Sequence, residues 1–300
     1  MISYVDNSTH LVTFSGFLGD ANETAVSALM VQGLNSAATV ASILDDPVVS
    51  KYTSAAATIA NGVNEHLWNE ALGVYSNALD DMGNFSVAGI SFPITSGLAS
   101  SSRAASSLSA LETLNLYPGY KDSSEVDSSD PTVALSPNTS GFLLSALMAT
   151  DITAPVKYLL DNLWTTMLSA NSYSSGASWE YVGQDGQPAL GLFTSLSHPW
   201  GGAATYILTE YVTEIRPQTP GYETFLINPV IDGLDLSWAK GTVQTKYGKL
   251  SSSWSISGSL VRATVDAPHG TTGILVVGCG EAVPVIGRKS QHFEIAVGSC

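Results

Sequence analysis

The stretch SWEYVGQDGQPALGLFTSLSHPWGGAATYILTEYV, residues 178 to 212, sets one carboxylate, Glu180, between two tryptophans, Trp179 and Trp200, with His198 just ahead of the second. Aromatic faces stack on the apolar face of a pyranose. A carboxylate in that setting deprotonates a water or stabilises positive charge developing at an anomeric carbon. Taken alone, a Trp-Glu dipeptide is more often a packed tryptophan beside a solvated glutamate, His198 a core or capping histidine, and Trp200 a packing residue. Gly201 and Gly202 either ease a turn or let backbone approach a ligand closely. Context favours one pocket: SYSSGAS before Trp179 is a Gly/Ser turn and SLSHPWGG leads into a helix, so both segments face the same end of a helical hairpin.

Other chemistries lack their usual supports. There is no Cys-x-x-Cys, no His-Glu-x-x-His, no Walker-type loop and no Gly-x-Ser-x-Gly, and the histidines at 10, 66, 198, 269 and 292 are scattered. Neither a metal nor a cofactor is expected. Acidic residues outnumber basic ones by 26 to 11, so phosphate backbones and anionic lipid surfaces are poor partners and neutral substrates fit better. Nowhere do eighteen apolar residues run together, and MISYVDNSTHLVTF has no basic segment leading into an apolar one, so it does not read as a signal peptide. Cys279 and Cys300 are close enough in sequence to pair. The Asn-x-Ser/Thr triplets at Asn7, Asn22, Asn84 and Asn138 are no more frequent than this composition gives by chance, so they carry no weight.

The positioning elements are helical first and extended later. Val26, Leu29, Met30, Leu34, Ala37, Ala41 and Leu44 line one face of a helix over 22–44, with Asn22 as its N-cap. Asp46-Pro47 starts a second helix whose stripe is Val49, Tyr52, Ala56, Ile59 and Val63, and the two form a hairpin. Asn69 and Gly73 mark a turn before an extended Val74-Tyr75. Further helices are expected near 100–116, 139–149, 153–169 and 201–215, about six in all, the fifth anchored by Val156, Leu159, Leu160, Leu163, Trp164 and Met167. KDSSEVDSSDP, 121–131, reads as an exposed loop. After RPQTPGYETF come short runs rich in β-branched and aromatic residues. The organisation is therefore a helical domain over 1–215 and an antiparallel β-sandwich over 216–300.

GASWEY, SLSHPWGGAATYILTEYVTEIRPQTPGY, LSWAKGTVQTKYGKLSSSW and VDAPHGTTGILVVG together resemble the C-terminal half of inverting α-L-rhamnosidases of the large bacterial and fungal glycoside hydrolase family. NEHLWNEALGVYSNA resembles a loop that recurs in that family's helical toroids. The resemblance implies an α/α toroid of six hairpins, here a partial one, followed by a β-sandwich. It also implies that Glu180 is the general base on the attacking water and that His198 contacts the sugar, with Trp179 and Trp200 beside it. The family's general acid sits in an acidic, Arg-containing loop that has no counterpart here, and six helices are half of twelve. By resemblance the chain begins midway round the ring, as a fragment, a truncated product or a variant working differently.

The expected function is hydrolysis of terminal α-L-rhamnosyl residues with inversion, on a rhamnose-containing glycoside or polysaccharide, in an extracellular setting by resemblance. The alternatives are a non-catalytic carbohydrate-binding remnant and a polysaccharide lyase on the same scaffold. Open toroid faces would favour self-association.

Overall fold

The computed structural model describes residues 5–12, 23–169, 172–278 and 280–296. Cys279 and Cys300, and with them any pairing, lie outside these residues, as does the expected cap Asn22. The chain divides into two compact units, Met1–Ala203 and Ala204–Cys300.

In the first unit, α1 (Glu23–Ile43) and α2 (Val49–His66) form the expected hairpin. Of the expected α2 stripe, Ala56, Ile59 and Val63 are buried, and Val49 and Tyr52 are half-buried. On α1 the buried face is rotated from the expected one, toward Ala25, Ala28, Val31 and the small polar Thr24 and Ser27, while Leu29 and Leu44 are exposed and Met30 and Leu34 lie at the core's edge. Small residues make up most of its buried face, and the larger apolar side chains Met30 and Leu34 lie at the border. Among the described residues α1 alone is long and apolar enough to cross a membrane, by length and composition, yet part of its surface packs against α2.

The turn that follows pairs β1 (Trp68–Asn69) with β2 (Val74–Tyr75). Asn69 accepts hydrogen bonds from the amides of Ala71 and Leu72, and Gly73 takes φ +66°, so both expected turn residues act as such. Next comes α3 (Val87–Thr95), a helix the spacing does not predict. It is buried nearly all round, contains Gly89 and Pro93, and so has no polar face to set a period; Ser86 caps it by accepting from the Gly89 amide at 3.0 Å. Then follow α4 (Ser101–Ala110), β3 (Asn115–Leu116) paired with β4 (Gly119–Tyr120), β5 (Ala134–Leu135) and α5 (Pro137–Met148). Helix α6 (Ala154–Leu159) runs through a wide π turn, Leu160–Trp164, into α7 (Thr165–Leu168) as one continuous helix. Of its expected anchors all are buried except Leu160, which is half-buried.

Helices α1, α3 and α5 pack in a row, α2, α4 and α6 lie against them in turn, and β6 (Val182–Gly183) pairs with β5. This is the layering of a partial helical toroid. Two similar joints tie the row to the strand pairs. The carbonyl of Asn77, two residues after β2, accepts from the Thr24 amide in the first turn of α1. The carbonyl of Asp122, two residues after β4, accepts from the Val87 amide in the first turn of α3.

A last short helix, α8 (Ala203–Ile207), continues into a π turn, Leu208–Val212, giving seven continuous helices among the described residues where the sequence suggests six. The second unit is then one curled sheet: β7 (Arg216–Pro217), β8 (Thr224–Ile227), β9 (Trp238–Thr245), β10 (Gly248–Ser257), β11 (Leu260–Leu275) and β12 (Val283–Ala296). Alternation along β10 buries Leu250, Ser252 and Trp254, and the Trp254 indole donates to the Val212 carbonyl at 2.7 Å. Pairing is antiparallel, as expected, except that the C-terminal half of β11 runs parallel to β8. Register shifts between Val265 and Thr272 let β11 bend from one partner, β10, to the other. Gly273 is needed there, since a side chain would meet the Phe225 ring.

Candidate active site

The residues singled out in 178–202 do converge, all within the first unit. The backbones of Glu180 and Ser195 meet: the Glu180 amide donates to the Ser195 carbonyl at 2.9 Å, and the Ser195 amide donates to Glu180 Oε2 at 3.1 Å. The carboxylate is thus held by main chain, and the intervening loop carries its tip, Leu192 and Phe193, almost fully exposed. The His198 amide donates to the Ser178 carbonyl at 2.8 Å, which sets His198 Nδ1 3.9 Å from Glu180 Oε2. Trp200 donates its indole N–H to the Glu180 carbonyl at 3.2 Å, and its ring stands 4.2 Å from His198 and 5.8 Å from Tyr181. The side chains of Glu180 and His198 are about three-quarters buried, with 22% and 28% of their surface open. Among the described residues Oε1 of Glu180 has no hydrogen-bond partner in the protein, so it is available to a water or a ligand.

Trp179 is placed differently from its expected role. It has no exposed surface, so its ring is core and offers no face to a sugar. Its amide donates to the Met167 sulfur at 3.1 Å, which fastens the chain to α7 one residue before Glu180. The glycine pair is also explained by packing rather than by a ligand. A Cβ on Gly201 would lie 2.7 Å from Ser178 Cβ and 3.0 Å from the Trp179 carbonyl, and the Trp164 indole donates to the Gly201 carbonyl at 2.8 Å. Glycine lets the turn press directly on the Ser178-Trp179 backbone, and that contact holds His198 and Trp200 over Glu180.

Two residues in and near this segment, Tyr181 and Asp122, escape the sequence reading. Tyr181 stacks edge-on to Trp200; burial raises its phenol pKa, and the charges of Asp122 and Glu180 raise it further. Asp122 belongs to the stretch expected to be an exposed loop, and the start of that stretch is instead folded inward. Lys121 is buried with its ammonium on the Val126 carbonyl, and Asp122 is half-buried, accepting from the Thr139 hydroxyl at 2.6 Å. Burial pushes the Asp122 carboxyl above the usual carboxylate range, opposed by the Thr139 bond. The rest of the stretch, 127–131, is exposed as expected. Among the described residues no group of three His, Cys, Asp or Glu side chains is arranged to hold a metal.

Residues 215–291 match the family model of the bacterial alpha-L-rhamnosidase C-terminal domain. The whole fold is similar to the native alfa-L-rhamnosidase of Aspergillus terreus, at 19% identity and a TM-score of 0.73, covering 97% of this chain and 34% of that one. A GH78 family rhamnosidase of Bacillus sp. GL1 superposes with a TM-score of 0.69 at 19% identity, over 92% of this chain and 29% of that one. The α-L-rhamnosidase of Streptomyces avermitilis, solved in complex with L-rhamnose, does so with a TM-score of 0.66 at 15% identity, over 91% and 27%. The chain therefore spans about a third of the length of these enzymes. No curated protein sequence matches it. Helical layering, curled sheet and matched C-terminal segment agree: the chain has the fold of the matched part of these α-L-rhamnosidases, and its residues 215–291 match the C-terminal domain of the bacterial ones.

Proposed function

We propose that the Glu180 site is the water-activating part of a glycoside hydrolase that removes terminal α-L-rhamnosyl residues with inversion. The observation that carries this reading is the held carboxylate: Glu180 has one oxygen fixed by the Ser195 amide and is flanked by His198 and Trp200. The resemblance to a rhamnosidase solved with L-rhamnose supports the choice of sugar. In this reading Glu180 takes a proton from water, and the resulting hydroxide attacks the anomeric carbon from the face opposite the departing glycosidic oxygen. The bond to that oxygen breaks as a second carboxyl group, set about 6.5–9.5 Å from the base in inverting enzymes, protonates it. The reading assigns that acid to no residue of the 178–202 segment. His198 donates to or accepts from a sugar hydroxyl, and Trp200 offers its ring face. Trp179 acts through packing.

Hydrolysis of an aryl α-L-rhamnoside tests the reading. Glu180→Gln removes turnover while leaving the melting curve unchanged, because the amide matches the carboxylate in volume. An equally active Gln variant rejects Glu180 as the base. His198→Ala raises KM or lowers kcat by an amount worth about 1–3 kcal/mol. Unchanged kinetics would make that histidine structural.

A further inference from the structure

We propose that Asp122 is a second sugar-binding carboxylate of the Glu180 site, receiving hydroxyl groups of the bound monosaccharide. The inference rests on the sugar-site reading of Glu180 and adds to it a residue from another part of the chain.

The placement follows from three links. Asp122 is bonded to Thr139 in the first turn of α5. In the same turn Pro137 Cβ would lie 3.3 Å from a Cβ on Gly201, the residue next to Trp200. Just before α5, β5 pairs with β6, putting Leu135 opposite Val182, and Val182 directly follows Glu180-Tyr181. Asp122 is thus brought to the Glu180 side of the row through one helical turn and one strand pair. The charges of Asp122 and Glu180 both raise the pKa of the Tyr181 phenol, in keeping with that placement.

A structural role alone does not account for the charge. Asp122 and Asn77 hold matching places in successive strand pairs, and each gives its backbone carbonyl to the first turn of a row helix. At 77 the residue in this place carries a neutral side chain, which donates to Asp81. At 122 the half-buried group is a carboxylate that gains no cation: neighbouring Lys121 turns away to the Val126 carbonyl, and the partner on Asp122 is a hydroxyl. A carboxylate kept from water without a cation is costly unless donors complete it. Vicinal hydroxyls of a neutral sugar are such donors, and a carboxylate accepts two of them at once.

The test is binding of L-rhamnose to the 300-residue chain by titration calorimetry, with thermal melts in parallel. The wild type binds and Trp200→Ala weakens binding, as the parent reading requires. Asp122→Asn weakens binding by roughly tenfold, the loss of one charge-assisted hydrogen bond. Its melting midpoint stays unchanged, because the backbone carbonyl at 122 is untouched and the amide Oδ1 still accepts from Thr139. Asp122→Glu, which keeps the charge, recovers part of the affinity. Undiminished affinity in Asp122→Asn overturns the proposal and leaves the Glu180 reading standing. Loss of affinity in step with a lowered midpoint, with no recovery in Asp122→Glu, makes Asp122 structural and equally overturns it. No rhamnose binding by the wild type removes the parent reading, and this inference with it.

Discussion

Two regions of the first unit use the same vocabulary, a tryptophan with a glutamate near it, to opposite ends. Around Trp68 and Glu70 the polar groups close on one another. Arg103 lies 4.6 Å from the Trp68 ring centre and donates to Asn64 Oδ1 at 2.6 Å, the Tyr75 hydroxyl donates to the same oxygen at 2.7 Å, and Glu70 stands 3.9 Å from the guanidinium. Around Trp179 and Glu180 they do not close. The tryptophan is sunk into the core, the carboxylate is held by a single amide, and the neighbouring ring, Trp200, spends its N–H on a main-chain carbonyl. In the first region Arg103, Tyr75 and Asn64 satisfy one another and form a joint, with Glu70 left in solvent; the second holds a mostly buried carboxylate with acceptor capacity over and is a candidate site. Residue types do not separate the two, whereas the burial of the carboxylate does: the Glu70 side chain is 84% exposed and that of Glu180 22%.

Substitutions in the two regions should therefore part company. Glu180→Gln should reduce rhamnoside turnover by roughly 10²–10⁴, the range for loss of a general base. Stability should hold, and a Gln variant that unfolds earlier would mean the carboxylate is itself a joint. Gly201→Ala should destabilise by about 1–3 kcal/mol in urea, because the new methyl overlaps Ser178. It should also weaken sugar binding, by displacing Trp200. Arg103→Ala should cost about 2 kcal/mol of stability through lost ring stacking and hydrogen bonds, with rhamnose affinity unchanged by calorimetry. A loss of affinity there would show that the two regions are coupled. Glu70→Gln, with 84% of the side chain exposed, should alter stability by less than about 0.5 kcal/mol and activity not at all.

What could be read from the sequence was what local chemistry decides. Asn69 and Gly73 form a turn because an Asx side chain and a left-handed glycine form turns almost anywhere. The anchors of the α6–α7 helix were legible because one face is wet, and the two halves of the site because both flank the same helical end. Helix α3 was not legible, since burial on every side removes the contrast that periodicity needs. The true face of α1 was hidden by the preference for large side chains, when small residues such as Ala25 and Ala28 make up most of it. The parallel pairing of β8 with β11 depends on a bend inside one long strand, which no local pattern encodes. Asp122 was missed for a related reason: it begins a run of Ser and Asp whose average is a solvated loop, and only its own neighbours, Val87 and Thr139, draw it in.

The reciprocal bond between Ser195 and Glu180 bears on how this site tolerates change over generations of sequence drift. The atom that positions the carboxylate is an amide nitrogen, which nineteen of the twenty amino acids supply equally. Position 195 is thus free to vary in side chain without disturbing the carboxylate, and a survey by alanine replacement would record it as indifferent. Proline is the exception, because it removes the donor. A saturation library at residue 195 should accordingly split into two classes, proline against all the rest, and that split would reveal an essential contact carried by a residue whose identity is nearly unconstrained.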